Sequence, residues 1–167
     1  MEVRNKVFIG AVSAALMSAA TYWEGYRPQP YEDVVKKLTV CMGHTGKDIE
    51  NKTYTRAECD NLLKKDLAKY GEQAIKCINV PINENQYNSF TLFTYNLGAS
   101  NFCNAGFVKK LNQGKYEEAC VGMYKHPDGS YAWSFAGGKF YQGLQNRRKF
   151  ESDLCLGKDV WKTLPKL

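Results

Sequence analysis

Histidine is scarce in this 167-residue chain: His44 and His126 are the only two, and none of the six cysteines stands in a C-x-x-C pair. With so few imidazoles and no such spacing, the usual tetrahedral zinc sites have no ligand set, so no metal and no cofactor are expected. No long block of like charges occurs, which excludes an acidic or basic interaction tail. Internal repeats and low-complexity linkers are also missing, which excludes a solenoid and a flexibly tethered pair of domains. Between Lys6 and Glu24 there is no charged residue at all.

What is present is ordinary for a globular protein, with 44% hydrophobic and 24% charged residues. The length suits one compact domain with a substantial core and room for two lobes. A net charge of +6 fits a polyanionic partner, whether nucleic acid, anionic lipid or a cell-wall polymer. Cys41, Cys59, Cys77, Cys103, Cys120 and Cys155 are even in number, and three disulfides account for them better than reduced thiols. Disulfides imply an oxidising compartment, so nucleic acid is not expected as a partner.

The uncharged stretch is itself a signal. Arg4 and Lys6 precede an apolar run from Val7 to Ala20 that continues through Thr21 and Tyr22 to Trp23, the pattern of an export segment. As a helix, residues 7–23 would be about 25 Å long, a little short of a roughly 30 Å hydrocarbon core. Its many Gly, Ala, Ser and Thr residues bury little apolar area, so lipid would hold it weakly. Three readings stand: a signal peptide cleaved near Ser18-Ala19-Ala20, a helix packed on the core, or an uncleaved anchor that later leaves the membrane. The chain accordingly divides into an N-terminal apolar helix, residues 1–23, and a main domain, residues 24–167.

Pro28 and Pro30 end the first helix soon after Glu24. Residues 31–55 read as short strands and turns, a small hairpin sheet. Thr55-Arg56-Ala57-Glu58 is a capping box, and the helix it opens is expected to stop at Gly71, with a second helical stretch over 72–78. A helix from Asn83 or Glu84 to Leu97 is apolar on most sides and should lie at the centre of the core. Helical stretches over 105–111 and 116–123 follow, then a break at Gly137-Gly138 and a last helix holding Leu144 to Leu154. The fold class is α+β, mainly helical, with a small N-terminal hairpin lobe.

Glu24, Asp33 and Thr39 form a compact set of chemical groups. Cleavage of a glycosidic bond needs two carboxyls, one kept protonated by an apolar setting and one ionised. Tyr22 and Trp23 flank Glu24 to supply the first setting, a polar turn at Asp33 supplies the second, and Thr39 is placed to hold a water. Read alone, such a pair is weak evidence among 17 acidic residues.

The surrounding motifs are more specific. Glu24-Gly25-x-Arg27, Tyr31-x-Asp33 and Thr39-x-Cys41-x-Gly43-His44-Thr45 resemble the phage lysozyme family, glycoside hydrolase family 24. The resemblance continues through Tyr54-Thr55-x-x-Glu58-Cys59, Val80-Pro81, and the segments Phe93–Phe102, Lys109–Cys120, Trp133–Lys139 and Gly143–Glu151. It departs at Lys36, where relatives carry glycine, and at Leu38, where they carry an aromatic. The apolar N-terminus and the cysteines are similar to signal-arrest-release endolysins of phages of Gram-negative bacteria.

The resemblance implies a lysozyme-like fold and a muramidase that cuts the β-1,4 bond between N-acetylmuramic acid and N-acetylglucosamine in peptidoglycan. It makes Glu24 the general acid, Asp33 the second carboxylate and Thr39 the water-positioning residue. An inverting course, implied likewise, asks for carboxyls roughly 6.5–9.5 Å apart. Gly43, Asn96 and Gly98 are expected on the cleft floor, where small residues let a sugar approach the backbone. His44 is expected to fix the sheet by hydrogen bonds. Arg147 and Arg148 either pair with acids near Glu24, contact the polymer, or lie on a solvated helix face. Neighbours along the chain suggest the pairs Cys41–Cys59, Cys77–Cys103 and Cys120–Cys155. The expected protein is a monomer, exported to the host periplasm and first tethered to the inner membrane through residues 7–23. The alternatives are a lytic transglycosylase and a peptidoglycan-binding protein without catalysis.

Overall fold

Ser13 opens the first helix by accepting a hydrogen bond from the Leu16 N–H at 3.1 Å, the N-cap geometry that satisfies an orphan donor. The computed structural model describes residues 12–164, so Arg4, Lys6 and residues 7–11 of the apolar run lie outside the described residues. Helix α1, Ala14–Glu24, buries Leu16, Ala19, Ala20 and Thr21 against Leu63 and Leu67 of the next helix and Phe150 and Leu154 of the last one. These spacings put the buried residues on one stripe, and alanine lets the backbones approach closely. Here residues 14–23 of the apolar segment form a packed helix. Among the described residues no helix is long and apolar enough to cross a membrane.

A three-stranded antiparallel sheet follows, with β1 (Arg27–Glu32), β2 (Leu38–Cys41) and β3 (His44–Thr45) in spatial order β1-β2-β3. Pro28 and Pro30 cannot donate to a ladder, and β1 is an edge strand, where that loss costs least. Tyr31 pairs with Thr39, and Thr39 with Thr45.

Helix α2 runs from Arg56 to Ile75 behind a complete Thr55/Glu58 capping box. It does not stop at Gly71, as the sequence pattern implies, nor does a separate helix begin at residue 72. A Cβ at Gly71 would lie 2.3 Å from the Tyr87 hydroxyl oxygen. The glycine therefore allows α2 to pack closely on helix α3, Glu84–Leu97, and is not a terminator. Helix α3 is buried without a break from Gln86 to Thr94. Short helices α4 (Ala99–Asn104), α5 (Gly106–Asn112) and α6 (Tyr116–Gly122) wrap it. A hairpin, β4 (Phe135–Ala136) and β5 (Lys139–Phe140), turns at Gly137-Gly138, both with positive φ. Helix α7, Gln142–Cys155, closes the fold.

Two buried clusters result. One joins α1, β2, α2 and α7; the other gathers Phe90, Phe93, Phe102 and Phe107 around α3 to α6. Three disulfides link them to their surroundings. Cys41–Cys59 ties β2 to α2, Cys77–Cys103 ties the end of α2 to α4, and Cys120–Cys155 ties α6 to α7. Such cross-links typically contribute about 2–4 kcal/mol each. The architecture is α+β and mainly helical, with the small sheet as its N-terminal lobe.

Candidate active site

Glu24 is the last residue of α1, and Gly25 (φ +75°) ends the helix by turning the chain toward β1. The Glu24 carboxyl meets α7: its Oε1 pairs with Arg147 Nη2 at 2.8 Å. Arg147 also donates through Nε to Glu151 at 3.2 Å, and Arg148 pairs with Glu151 at 2.9 Å. Arg147, Arg148 and Glu151 are buried. Burial pushes the Glu151 carboxyl up, and the two arginines oppose it. Arg148 further donates to Asn96 Oδ1 at 2.8 Å. Of the three roles open to the arginine pair, the structure selects ion pairing with acids, under the cleft and not on a solvated face.

Asp33 sits on the turn between β1 and β2. Its Oδ1 accepts from the Val35 N–H at 2.9 Å and the Lys37 N–H at 2.8 Å. This is the local bonding that makes aspartate a turn residue. Among the described residues Oδ2 has no hydrogen-bond partner. Lys36 takes φ +60°, the left-handed conformation that glycine adopts without cost. The turn thus keeps a glycine-like path despite the lysine. Thr39 is buried on β2, and its hydroxyl donates to the Lys37 carbonyl at 3.0 Å. Its proton is committed, so its remaining hydrogen-bonding capacity is as an acceptor. Cys41 is also left-handed, at φ +62°, and its disulfide to Cys59 anchors the strand end.

Glu24, Asp33 and Thr39 line one cleft of about 420 Å³ together with Gly43, Asn96 and Gly98. Gly43 has φ +83°, and a Cβ there would stand 3.2 Å from Glu24 Oε2. Its smallness therefore serves the acid directly. Gly98 opens onto free space at the end of α3. Tyr22 and Trp23 do not line the cleft. Successive helical residues point about 100° apart, so they turn toward α7 and the C-terminal segment, where Trp23 packs edge-on against Phe150. The apolar setting expected around Glu24 is replaced by the Arg147 ion pair and the backbone at Gly43.

The cleft also contains Asp66, Lys69, Tyr70 and Tyr95, which the motif reading did not single out. Asp66, Lys69 and Tyr70 stand at i, i+3 and i+4 of α2, and this spacing was the only sequence signal that they share a face. Tyr95 donates to the Met42 carbonyl at 2.6 Å, and burial pushes its hydroxyl pKa up. His44 places Nδ1 2.7 Å from Asp66 and Nε2 3.1 Å from Asp48. Burial works to lower the His44 pKa, but hydrogen bonds to Asp66 and Asp48 outweigh it and raise the value. Both ring nitrogens are engaged, so His44 bolts β3 to α2 and is no free base.

Residues 21–151 match the family model described as Phage lysozyme. The chain is 47% identical over 134 residues to the SAR-endolysin of Bacteriophage PS119, covering 80% of this chain and 76% of that protein. It is 42% identical over 165 residues to the SAR-endolysin of Bacteriophage PS34, covering 92% and 94% of the two. Among solved structures, a mutant form of P22 lysozyme superposes with a TM-score of 0.74 at 29% identity, over 87% of this chain and 97% of that one. The fold is therefore lysozyme-like. The chain belongs to the phage lysozyme family and is a lysozyme-type glycoside hydrolase.

Proposed function

We propose that the chain is a phage endolysin that hydrolyses the β-1,4 bond between N-acetylmuramic acid and N-acetylglucosamine in host peptidoglycan, with Glu24, Asp33 and Thr39 as its catalytic residues. One observation carries the assignment: all three line the same cleft, two of them with an uncommitted oxygen. Arg147 fixes Glu24 through Oε1, which leaves Oε2 as the oxygen that protonates the glycosidic oxygen. A water donating one proton to Thr39 Oγ1 and the other to Asp33 Oδ2 keeps a lone pair for the anomeric carbon. As the carbon–oxygen bond breaks, the leaving alcohol takes the proton of Glu24. The water oxygen bonds to the sugar and its proton passes to Asp33. This is an inverting displacement.

The test is mass spectrometry of products from purified peptidoglycan digested in oxygen-18 water. Reducing muramic ends that carry the label support hydrolysis at this bond. Unlabelled anhydro-muramic ends would make the protein a transglycosylase, and binding without cleavage a wall-binding protein. Early-time NMR of the released anomer reads the stereochemistry.

The proposal includes location. Relatives named SAR-endolysins and the three disulfides support export to the periplasm. Residues 7–23 then serve as a transient inner-membrane tether of a monomeric enzyme. Leu16, Ala19 and Ala20 cannot lie in lipid and in the core at once. While tethered, α1 is absent from the domain and Glu24 is parted from Arg147, so the enzyme is off. Ala14 and Ala15 are exposed in the packed helix. The double variant Ala14→Leu/Ala15→Leu should therefore stay membrane-bound longer and lyse later, with the released enzyme unimpaired. Lysis at the normal time sinks the tether.

A further inference from the structure

Two lysines face the cleft from opposite walls, Lys37 on the β1–β2 turn and Lys69 on α2. The acids around them have other partners, although Asp33 keeps Oδ2 free among the described residues. Glu24 is paired with Arg147, Asp66 with His44, and Asp33 Oδ1 with two backbone N–H groups. Lys69 contributes to lowering the Asp66 pKa against its burial, but among the described residues neither lysine forms an ion pair. Both side chains are exposed, so neither pays a large desolvation cost to remain charged.

Their placement is fixed at the root. The Lys37 N–H donates to Asp33 and its carbonyl accepts from Thr39, so the main chain of Lys37 is pinned between two residues of the proposed catalytic set. Lys69 lies with its ammonium 5.5 Å from the centroid of the Tyr70 ring, and Tyr70 packs edge-on against Tyr95 in the same wall. An ammonium group offers three donors and a full charge but no acceptor. A neutral sugar hydroxyl gains little from such a group, whereas a carboxylate gains attraction from both walls.

We propose that Lys37 and Lys69 recognise a carboxylate carried by the glycan strand, so that the enzyme selects an anionic polysaccharide over a neutral one. This rests on the hydrolase reading above and names the substrate feature that reading leaves open. On peptidoglycan the carboxylates are those of the acidic peptides borne by the sugars. A carboxylate held between the lysines also bridges the sheet lobe and α2, the two walls that carry Asp33 and Asp66.

The experiment compares the wild-type chain with Lys37→Gln/Lys69→Gln on purified peptidoglycan and on the same material with its carboxyls converted to amides. Binding is read by co-sedimentation, and KM and kcat are read separately. Glutamine keeps the main-chain bonds of Lys37. On native material the variant should bind about threefold to tenfold more weakly at low salt, with the loss in KM, and added salt should narrow the gap. On amidated material the two proteins should bind alike. Equal losses on both substrates, or no loss on native peptidoglycan, overturn the proposal. Lysine-dependent binding without cleavage by the wild-type chain would leave the charge selection standing and remove the hydrolase reading instead.

Discussion

The two walls of the cleft hold their carboxylates by different physics. On the helical side, Glu24 is the outermost member of a mostly buried ion network with Arg147, Glu151 and Arg148. On the sheet side, Asp33 sits on a partly exposed turn, held by two backbone N–H groups and no cation. A buried network fixes geometry at the expense of desolvation, and losing one member leaves uncompensated charge. A turn held by its own backbone tolerates loss of charge as long as an acceptor oxygen remains. Glu24 is thus coupled to the stability of the whole fold, while Asp33 is coupled to one local loop.

The largest expected effect is on catalysis. Glu24→Gln should lower kcat on peptidoglycan by about 10²–10⁴-fold, the usual contribution of a positioned acid. Asp33→Asn should also cost activity heavily, yet change unfolding free energy by less than about 1 kcal/mol, because the amide oxygen accepts the same two bonds. Urea denaturation monitored by circular dichroism gives the stability of both. If Asp33→Asn proves as destabilising as a network variant, the contrast between the walls is wrong.

Next in size is Glu151→Gln. It leaves Arg147 and Arg148 buried beside a neutral amide and should destabilise by about 3–5 kcal/mol. Activity should fall with it even below the melting temperature, because Arg147 then lacks the partner that aims it at Glu24. A Glu151→Gln variant with wild-type stability would mean that the network is solvated and does not set the position of the acid.

A smaller and pH-dependent effect belongs to His44, which joins the two walls. Its pKa is raised in the folded state, so the folded chain holds this proton more tightly than the unfolded chain does. The stabilisation is complete below the unfolded value of about 6.5 and is lost as pH rises through the folded value. Melting temperature plotted against pH should therefore fall more steeply above about pH 6.5 for the wild type than for His44→Gln. Parallel curves would show that folding leaves the His44 pKa where it is in the unfolded chain, so that the bonds to Asp66 and Asp48 only balance its burial.

The sheet wall was largely legible in the sequence and the helical wall was not. Asp33, Thr39 and Gly43 follow Glu24 within one short stretch, so a linear motif brings them together. Asp66, Lys69 and Tyr70 belong to a helix whose polar residues look solvated until α3 and the sheet are set against it. The Arg147 partner of Glu24 lies far along the chain, and sequence alone left it three roles. Gly71 was misread because a glycine near a helix end is an ordinary stop signal, and only the Tyr87 hydroxyl, which would stand 2.3 Å from a Cβ at this position, shows its packing role. Local turn chemistry is written in adjacent residues; tertiary choices of helix face are not.

The smallest predicted effect tests the turn itself. The family pattern that the sequence resembles has glycine where this chain has Lys36, and the backbone there is left-handed at φ +60°. Holding a residue with a Cβ in that conformation costs roughly 1–2 kcal/mol. Glycine removes this strain but adds about 0.5–1 kcal/mol of unfolded-state entropy to be lost on folding. Lys36→Gly should therefore stabilise by about 0–1 kcal/mol and leave kcat nearly unchanged, since the Asp33 bonds come from Val35 and Lys37. Lys36→Ala should give no such gain, because alanine keeps the Cβ. If alanine stabilises as much as glycine, the strain lies in the lysine side chain and not in its backbone, and the turn is not glycine-like at all. If Lys36→Gly instead lowers kcat, the lysine stiffens the loop that aims Asp33, and the exposed wall needs a rigidity that its hydrogen bonds alone do not supply.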